Sequence, residues 1–170
     1  RVSIPYRIYG GLRFYERLEI KNAIAYLRII FNNNDNPSFE RSISNPTRGV
    51  GEKTLAKIRQ AAKRFNISYI KDSAKLIDEG SISGRGGSGL RDYLEFVAGC
   101  KSFIEENTLS DLMELIIKET GLYAYHAKDA GEKGKTRTEN LEELISATKN
   151  FEQSIREDKT NIEIAESYLD

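Results

Sequence analysis

Hydrophobic side chains recur every three or four positions along most of the chain, which is the spacing of an amphipathic α-helix. The longest such stretch runs from Glu16 to Phe31 and predicts a helix with one continuous apolar face. The apolar positions of this stretch are Ile20, Ala23, Ile24, Leu27, Ile30 and Phe31. The polar run from Asn32 to Asn36 then interrupts the pattern, so we expect the helix to end there and a linker to follow.

The same periodicity predicts further helices beyond that linker. Asn36 and Pro37 fit the N-cap and the first turn of a short helix that ends near Ile43. Thr108 begins a capping box with Asp111, three positions later, and should start another helix. The remaining helices are expected at a segment whose face carries Leu55, Ile58, Ala62 and Phe65, at residues 68 to 79, from Leu90 to Phe103, after Thr136 and at residues 160 to 169.

Two glycine-containing segments separate these helices. Residues 84 to 89 are predicted to form a flexible loop, and their G-x-G-x-x-G spelling does not indicate a dinucleotide site because no strand precedes it. Residues 126 to 135 are polar and basic, and they predict a second loop that ends at a capping box of Thr136 and Glu139. Only Ile4 to Tyr9 alternates like a short strand. The predicted fold class is therefore all-α, an irregular helical bundle of roughly seven or eight helices.

The segment between two of the predicted helices carries the clearest functional signal. Pro46-Thr47-Arg48-Gly49-Val50-Gly51 places two glycines around one apolar residue, as in a helix-hairpin-helix element. The glycines permit a tight turn and the close approach of a partner, and Val50 would fill the gap between the helices. The first backbone N–H groups of the next helix lack partners within it, so they attract a phosphate. The candidate DNA-backbone contacts are Thr47, Arg48, Gly49, Val50, Gly51, Lys53, Thr54 and Lys57.

The distribution of charge favours a polyanionic partner, although the formal net charge of the chain is zero. Residues 1 to 64 hold 13 Lys or Arg and 5 Asp or Glu, a net charge of +8, and the rest of the chain carries the compensating −8. A basic segment of this kind is typical of nucleic-acid binding. A second cluster is a candidate for another phosphate contact, although a mobile charged loop explains it equally well. Its residues are Lys133, Lys135, Thr136 and Arg137, next to Lys128.

Other chemistries find little support in the sequence. A single cysteine, Cys100, excludes an internal disulfide, and together with the single histidine, His126, it excludes a zinc site built from several Cys and His ligands. His126 has no partners that would make it catalytic, so we expect an ordinary loop residue. We therefore predict no catalytic residue, no metal site and no cofactor here. Because Arg1 rather than a methionine comes first, we expect a piece of a longer protein.

Three motifs, in the same order, resemble the UvrD/Rep/PcrA group of superfamily 1 DNA helicases. The first is I-P-Y-R-I-Y-G-G, followed by R-F-Y-E-R and E-I-K, between Ile4 and Lys21. It departs from the family pattern mildly, with Tyr15 in place of Phe and Asn22 in place of Asp. The second is the hairpin sequence at 46 to 51. The third is K-T-R-T-E-N-L-E-E-L, at 135 to 144.

The resemblance implies a division of the chain and a function for the protein from which it comes. Residues 1 to 33 would end the second RecA-like motor subdomain, as a strand plus a helix, and residues 34 to 170 would form the helical insertion called subdomain 2B. The parent would be an ATP-dependent 3′-to-5′ DNA helicase of DNA repair, a hydrolase that uses ATP and Mg²⁺. The family's ATPase motifs have no matching positions here, so the fragment alone should be inactive.

The same resemblance implies partners. It implies sequence-independent binding to DNA at a junction of duplex and single strand, contact with the parent's motor subdomains and with repair proteins, and a bacterial, cytoplasmic setting without a membrane. The alternative function is a protein-interaction and autoinhibitory domain that docks on the motor core or on a repair partner. In either case the apolar face of the helix from Glu16 to Phe31 should be covered, by the helical bundle or by a second copy of the chain.

Overall fold

The computed structural model describes residues 12–155 and 159–170, and these residues form ten α-helices with no strand among them. The all-α prediction is confirmed, whereas the predicted strand at residues 4 to 9 lies outside the described residues. No helix in the described ranges is long and apolar enough to cross a membrane. The helices are α1 (Leu12–Glu16), α2 (Leu18–Phe31), α3 (Asn36–Ile43), α4 (Glu52–Phe65), α5 (Tyr69–Asp78), α6 (Gly84–Phe103), α7 (Leu109–Glu119), α8 (Leu122–Ala127), α9 (Glu132–Gln153) and α10 (Asn161–Leu169).

Helix α2 lies at the centre of the hydrophobic core. It packs against α3 and α6 on the N-terminal side of the bundle and against α7 and α9 on the C-terminal side. Ile20, Ala23 and Leu27 are fully buried, and only Arg17, with an extended backbone, separates α2 from α1. Burying a side chain of the size of Ile or Leu contributes about 1.5–3 kcal/mol. The expectation that the bundle covers this apolar face is confirmed.

Side-chain caps fix several helix starts. The Thr108–Asp111 capping box is present at α7, as predicted, and a second box joins Thr160 to Glu163 at α10. Helix α3 is capped one residue earlier than predicted. The Asp35 carboxylate, rather than Asn36, accepts the Ser38 N–H, at 3.1 Å. Each of these caps satisfies a backbone donor that the helix itself leaves without a partner.

The predicted glycine loop at residues 84 to 89 is wrong, because these residues form the first turns of α6. Three of the glycines lie against other backbone. A Cβ atom on Gly86 would lie 3.4 Å from the Gly49 carbonyl oxygen, one on Gly87 would lie 3.2 Å from the Ile82 carbonyl oxygen, and one on Gly89 would overlap the Arg48 carbonyl oxygen. Gly86 and Gly89 thus allow α6 to approach the segment between α3 and α4 closely, and Gly87 allows it to lie against Ile82 in the connection from α5. This close packing outweighs the poor helix propensity of glycine.

The predicted loop at 126 to 135 is present only at residues 128–131, and the predicted capping box at Thr136 is wrong. Helix α9 begins at Glu132, so Thr136 lies inside it, and α8 extends through Ala127. A Cβ atom on Gly134 would lie 2.8 Å from the carbonyl oxygen of His126, so glycine here lets the connecting residues 128–131 fold back on the helix. The sequence pattern placed the N-cap at Thr136, five residues after the observed N-cap at Gly131.

Phe65 was predicted to lie in the core, and this prediction is wrong. Phe65 lies in the last turn of α4 and is 48% exposed, whereas Leu55, Ile58 and Ala62 are buried as expected. The Lys75 ammonium group lies 3.5 Å from the centre of the Phe65 ring. The ring therefore contacts a cation at the surface, an arrangement that attracts the positive charge to the ring face.

Candidate nucleic-acid interface

Residues 44–51 connect α3 to α4 and form an exposed corner, which we call the hairpin corner. Gly49 has a φ of +83°, a conformation that side-chain-bearing residues rarely adopt. Gly51 is the N-cap of α4 in an extended conformation. Val50, between the two glycines, is 8% exposed and belongs to the hydrophobic core, as the sequence predicted. The corner is thus anchored by one apolar side chain, while Gly49 and Gly51 face solvent.

The start of α4 presents backbone donors without acceptors. The first helical hydrogen bond runs from the Leu55 N–H to the Gly51 carbonyl oxygen, at 3.0 Å. The N–H groups of Glu52, Lys53 and Thr54 therefore precede the helical ladder, and no acceptor within the described residues binds them. Together with the positive end of the helix dipole, three such groups favour an anion.

Side chains around this helix start add positive charge. Lys53 is exposed, and Lys57, one turn later, donates to the Ser81 carbonyl oxygen at 3.1 Å. The acidic Glu52 forms an ion pair with Arg59 at 2.6 Å, and Arg59 also pairs with Glu40. The hydrogen bond from Arg59 lowers the pKa of Glu40. Since Arg59 binds the Glu52 carboxylate, that charge opposes an approaching phosphate less than the sequence suggests.

Arg48 occupies a different place from the one predicted for a phosphate contact. Its guanidinium turns inward and donates to the carbonyl oxygens of Ser42 and Ile43, at 3.0 and 2.9 Å, and to the Tyr26 hydroxyl. It also lies 5.6 and 5.3 Å from the ring centres of Tyr26 and Tyr93. The side chain therefore satisfies the C-terminal carbonyls of α3 and fixes the hairpin corner to the core.

The hydroxyl groups beneath Arg48 complete this network. Tyr26 donates to the Asn45 carbonyl oxygen at 2.9 Å, and the hydroxyls of Tyr93 and Ser42 lie 2.6 Å apart. Burial raises the pKa of Tyr26, and the charge of Arg48 partly offsets that rise. Burial likewise raises the pKa of Tyr93. Both phenols are therefore neutral at physiological pH and act as hydrogen-bonding groups in the base of the corner.

Sequence reasoning missed Arg85, which the fold brings to the same corner. Arg85 lies in the first turn of α6 and is exposed, and a Cβ atom on Gly49 would lie 2.9 Å from its Cγ. The Thr54 hydroxyl lies against Gly86 in the same turn, so the starts of α4 and α6 are neighbours. The glycines at 86 and 89 are the sequence signal for this approach, because they lie against the backbone of the corner.

The second predicted cluster lies on the first turns of α9 rather than in a loop. Lys133, Lys135 and Thr136 are exposed. Arg137 is half-buried, and its Nε lies 3.9 Å from the carboxylate of Glu19 in α2. Asn140 Nδ2 also donates to that carboxylate, at 2.8 Å. Arg137 thus neutralises a buried acid.

A pocket of about 150 Å³ joins the two predicted clusters. Thr47 from the hairpin corner and Arg137 from α9 both line it, together with Tyr125 and His126. His126 is 5% exposed at the end of α8, which corrects its expected place in an open loop. Burial and the nearby Arg137 charge lower its pKa. The fold therefore places Arg137 of the α9 cluster on the same pocket as Thr47 of the hairpin corner.

Groups typical of catalysis or metal binding do not gather elsewhere in the described residues. No cluster of three or more His, Cys, Asp or Glu residues that could hold a metal ion occurs in the described ranges. Cys100 is buried, and burial raises the pKa of its thiol to about 12. That thiol is therefore protonated and a poor nucleophile.

Comparison with known proteins bears on what this surface is for. Residues 1–83 match the family described as "UvrD-like helicase C-terminal domain". The chain is also 41% identical to DNA helicase II of Escherichia coli (strain K12) over 151 residues, which cover 89% of the chain and 21% of that protein. Residues 1–83 of the chain belong to the UvrD-like helicase C-terminal domain family. The predicted family resemblance is thereby confirmed.

More distant members of the UvrD-like helicases are also similar. The ATP-dependent DNA helicase PcrA of Bacillus subtilis (strain 168) is 32% identical over 160 residues, which cover 94% of this chain and 21% of that protein. PcrA of Leuconostoc citreum is 32% identical over 170 residues, 99% of this chain and 23% of that protein. This UvrD-like chain thus spans about a fifth of the length of the curated relatives that it matches.

Proposed function

We propose that the chain is the duplex-DNA-backbone-binding, regulatory part of an ATP-dependent 3′-to-5′ DNA helicase that acts in repair. One observation carries the proposal. The exposed start of α4 presents the backbone N–H groups of residues 52–54, which have no acceptor among the described residues, beside the exposed side chain of Lys53. Oxygens of a DNA phosphate suit such donors, and contacts of this kind position a protein on the duplex without reading its sequence.

The proposed contact surface differs from the sequence prediction at Thr47, Arg48 and Val50. It consists of Gly49, Gly51, Lys53, Thr54 and Lys57, and it gains Arg85 from the start of α6. Arg48 and Val50 hold the corner in place from below. Thr47 borders the pocket that leads to the second cluster, where Lys133, Lys135 and Thr136 extend the surface and Arg137 is engaged with Glu19.

We further propose that residues 34–170 form the helical insertion of the parent and that residues 1–33 end its second motor subdomain. The proposed boundary falls between α2 and α3, within the polar turn that joins them. Under this proposal ATP and Mg²⁺ bind in the rest of the parent, and the chain by itself hydrolyses no ATP. The other motor subdomains and repair proteins would be its protein partners.

Neutralising the lysines of the corner should weaken duplex binding and reduce its salt dependence. We expect Lys53→Gln/Lys57→Gln to lower the affinity for a labelled duplex about equally for unrelated sequences. Each lost phosphate contact should make the slope of log affinity against log salt shallower by about 0.9, hence by up to about 1.8 for the pair. Fluorescence anisotropy at several salt concentrations measures both quantities.

Lys149→Gln/Lys159→Gln is the matched control, since it removes the same charge at exposed positions near the C-terminal end of α9 and beyond it. The control should leave the slope unchanged. An unchanged slope for the Lys53/Lys57 variant contradicts the proposal. If that variant instead loses binding to the isolated motor subdomains while retaining duplex affinity, the alternative of a docking, autoinhibitory domain is supported.

A further inference from the structure

A second basic feature lies apart from the hairpin corner. Between α1, α2 and α3 there is a cavity of about 250 Å³, and Lys21, Arg28 and Arg41 line it. Tyr15 and Ser38 also line it, and no carboxylate side chain does so within the described residues. Because one water molecule needs only about 10–15 Å³ measured in the same way, the cavity has room for a larger polar group. We call it the α2–α3 pocket.

Helix geometry explains why three cations meet in the α2–α3 pocket. Lys21 and Arg28 are seven residues apart in α2, with Ile24 and Ala25 between them on the same face. The short turn after α2 folds α3 back against it, and Arg41 Nη1 donates to the Asn22 side-chain oxygen at 3.0 Å. The pocket is therefore built on two packed helices of the core rather than on a loop.

The two arginines of the pocket have only neutral partners among the described residues. Arg41 bonds an amide oxygen, and Arg28 reaches the Leu169 carbonyl oxygen at 3.4 Å. Within residues 12–155 and 159–170 no ion pair involves either of them, although both are half-buried. A guanidinium carries five donors in a planar fork, so most of this capacity remains available.

Asp35, three residues before the pocket-lining Ser38, is already engaged within α3. Asp35 caps α3, and its two carboxylate oxygens accept from the N–H and the hydroxyl of Ser38, at 3.1 and 2.8 Å. Like charges that share one partly desolvated cavity repel one another, and a bound anion removes that cost. Guanidinium forks match the tetrahedral oxygens of a phosphate particularly well.

We propose that the α2–α3 pocket binds a phosphate group, as a second anion site that is independent of the hairpin corner. The group belongs either to a nucleic-acid backbone or to a small phosphate anion, since both present the same oxygens. The first source rests on the proposed function, and the second does not. The basic segment of residues 1 to 64 includes Lys21, Arg28 and Arg41. The site therefore gives a binding role to three positive charges of that segment that lie outside the hairpin corner.

The test uses the chain with Arg28→Gln/Arg41→Gln and with the charge-retaining Arg28→Lys/Arg41→Lys. Inorganic phosphate is titrated at constant ionic strength against chloride, and the thermal midpoint is recorded. Phosphate also stabilises proteins generally by exclusion from their surface, and Lys149→Gln/Lys159→Gln measures that general effect. We expect a phosphate-dependent rise of the midpoint in the unchanged chain and in the control, a smaller rise in the lysine variant, and only the general effect in the glutamine variant.

Duplex binding by the same variants then distinguishes the two sources. A slope of log affinity against log salt that is shallower by about 0.9–1.8 in the glutamine variant identifies a nucleic-acid phosphate. An unchanged slope with a lost phosphate response identifies a small phosphate anion. A phosphate response that is equal in the unchanged chain and the glutamine variant overturns the proposal. Should that variant not fold, Lys21→Gln, at an exposed position, must itself reduce the response, or the proposal fails.

The test also separates the α2–α3 pocket from the hairpin corner. Lys53→Gln/Lys57→Gln should retain the full phosphate response of the midpoint, because neither lysine lines the pocket. If duplex binding proves absent in every variant, the proposed function fails while the phosphate titration still tests the pocket. Loss of the phosphate response in the Lys53/Lys57 variant would assign that response to the corner instead and contradict a separate site.

Discussion

Replacing Arg48 by methionine is expected to destabilise the chain by about 3 kcal/mol. The substitution keeps the length of the apolar stem but removes the donors to the carbonyl oxygens of Ser42 and Ile43 and to the Tyr26 hydroxyl. It also removes the cation from the faces of Tyr26 and Tyr93. Since these acceptors are partly buried, water replaces the lost donors poorly, and urea unfolding should show a lower midpoint.

Arg85→Met serves as the control for this substitution. Arg85 lies at the same corner and carries the same charge, but it is exposed, so its loss should change the free energy of unfolding by less than about 0.5 kcal/mol. Its loss should instead weaken duplex binding. The opposite pattern, in which the Arg48 variant is as stable as the unchanged chain but binds duplex poorly, would restore Arg48 as a phosphate contact.

Gly89→Ala should lower the free energy of unfolding by about 3 kcal/mol. An added Cβ atom at this position in α6 would overlap the Arg48 carbonyl oxygen and would also lie 3.5 Å from a Val50 methyl group. A backbone carbonyl is held by the fold and moves less easily than a side chain, so α6 and the hairpin corner must separate. Chemical or thermal unfolding measures the loss, and the weakened packing should also reduce duplex affinity.

Gly99→Ala is the control on the same helix. Nothing lies within 4 Å of a Cβ atom built on Gly99, which is exposed. Alanine there should stabilise α6 by about 0.5–1 kcal/mol, because it has a higher helix propensity than glycine. Opposite signs for the two glycines are therefore expected, and equal effects at both positions would show that α6 does not pack against the corner as described.

The sequence predicted the helices whose burial is one-sided. Core residues such as Leu55 and Ile58 in α4 repeat with the helical period because only one face of that helix meets the bundle. The capping box at Thr108 depends only on residues within one helical turn. Val50 was likewise predictable as the apolar residue between two glycines. Each of these features depends on residues that are close together in the sequence.

The features that the sequence did not predict depend on distant neighbours. The sequence shows that a glycine is present but not whether it provides a flexible loop or close helix packing. At Gly89 the role is close packing, because the Arg48 carbonyl oxygen lies against it in the fold. The sequence likewise does not show whether a charged side chain turns toward solvent or toward the core. Arg48 looks like a phosphate contact until Tyr26 and Tyr93 are seen beneath it. For the same reason Arg85 became a candidate only when α6 was found beside the corner.

If backbone amides at the start of α4 bind a DNA phosphate, amide NMR on the ¹⁵N-labelled chain detects the contact most directly. On titration with a short duplex at low salt, the N–H signals of Glu52, Lys53 and Thr54 should shift, equally for two unrelated sequences, and return when salt is added. The Ile164 N–H, which is bonded within its helix to the Thr160 carbonyl oxygen, should stay in place. Duplex binding that leaves the signals of residues 52–54 unmoved, or no binding at low salt, would contradict the account.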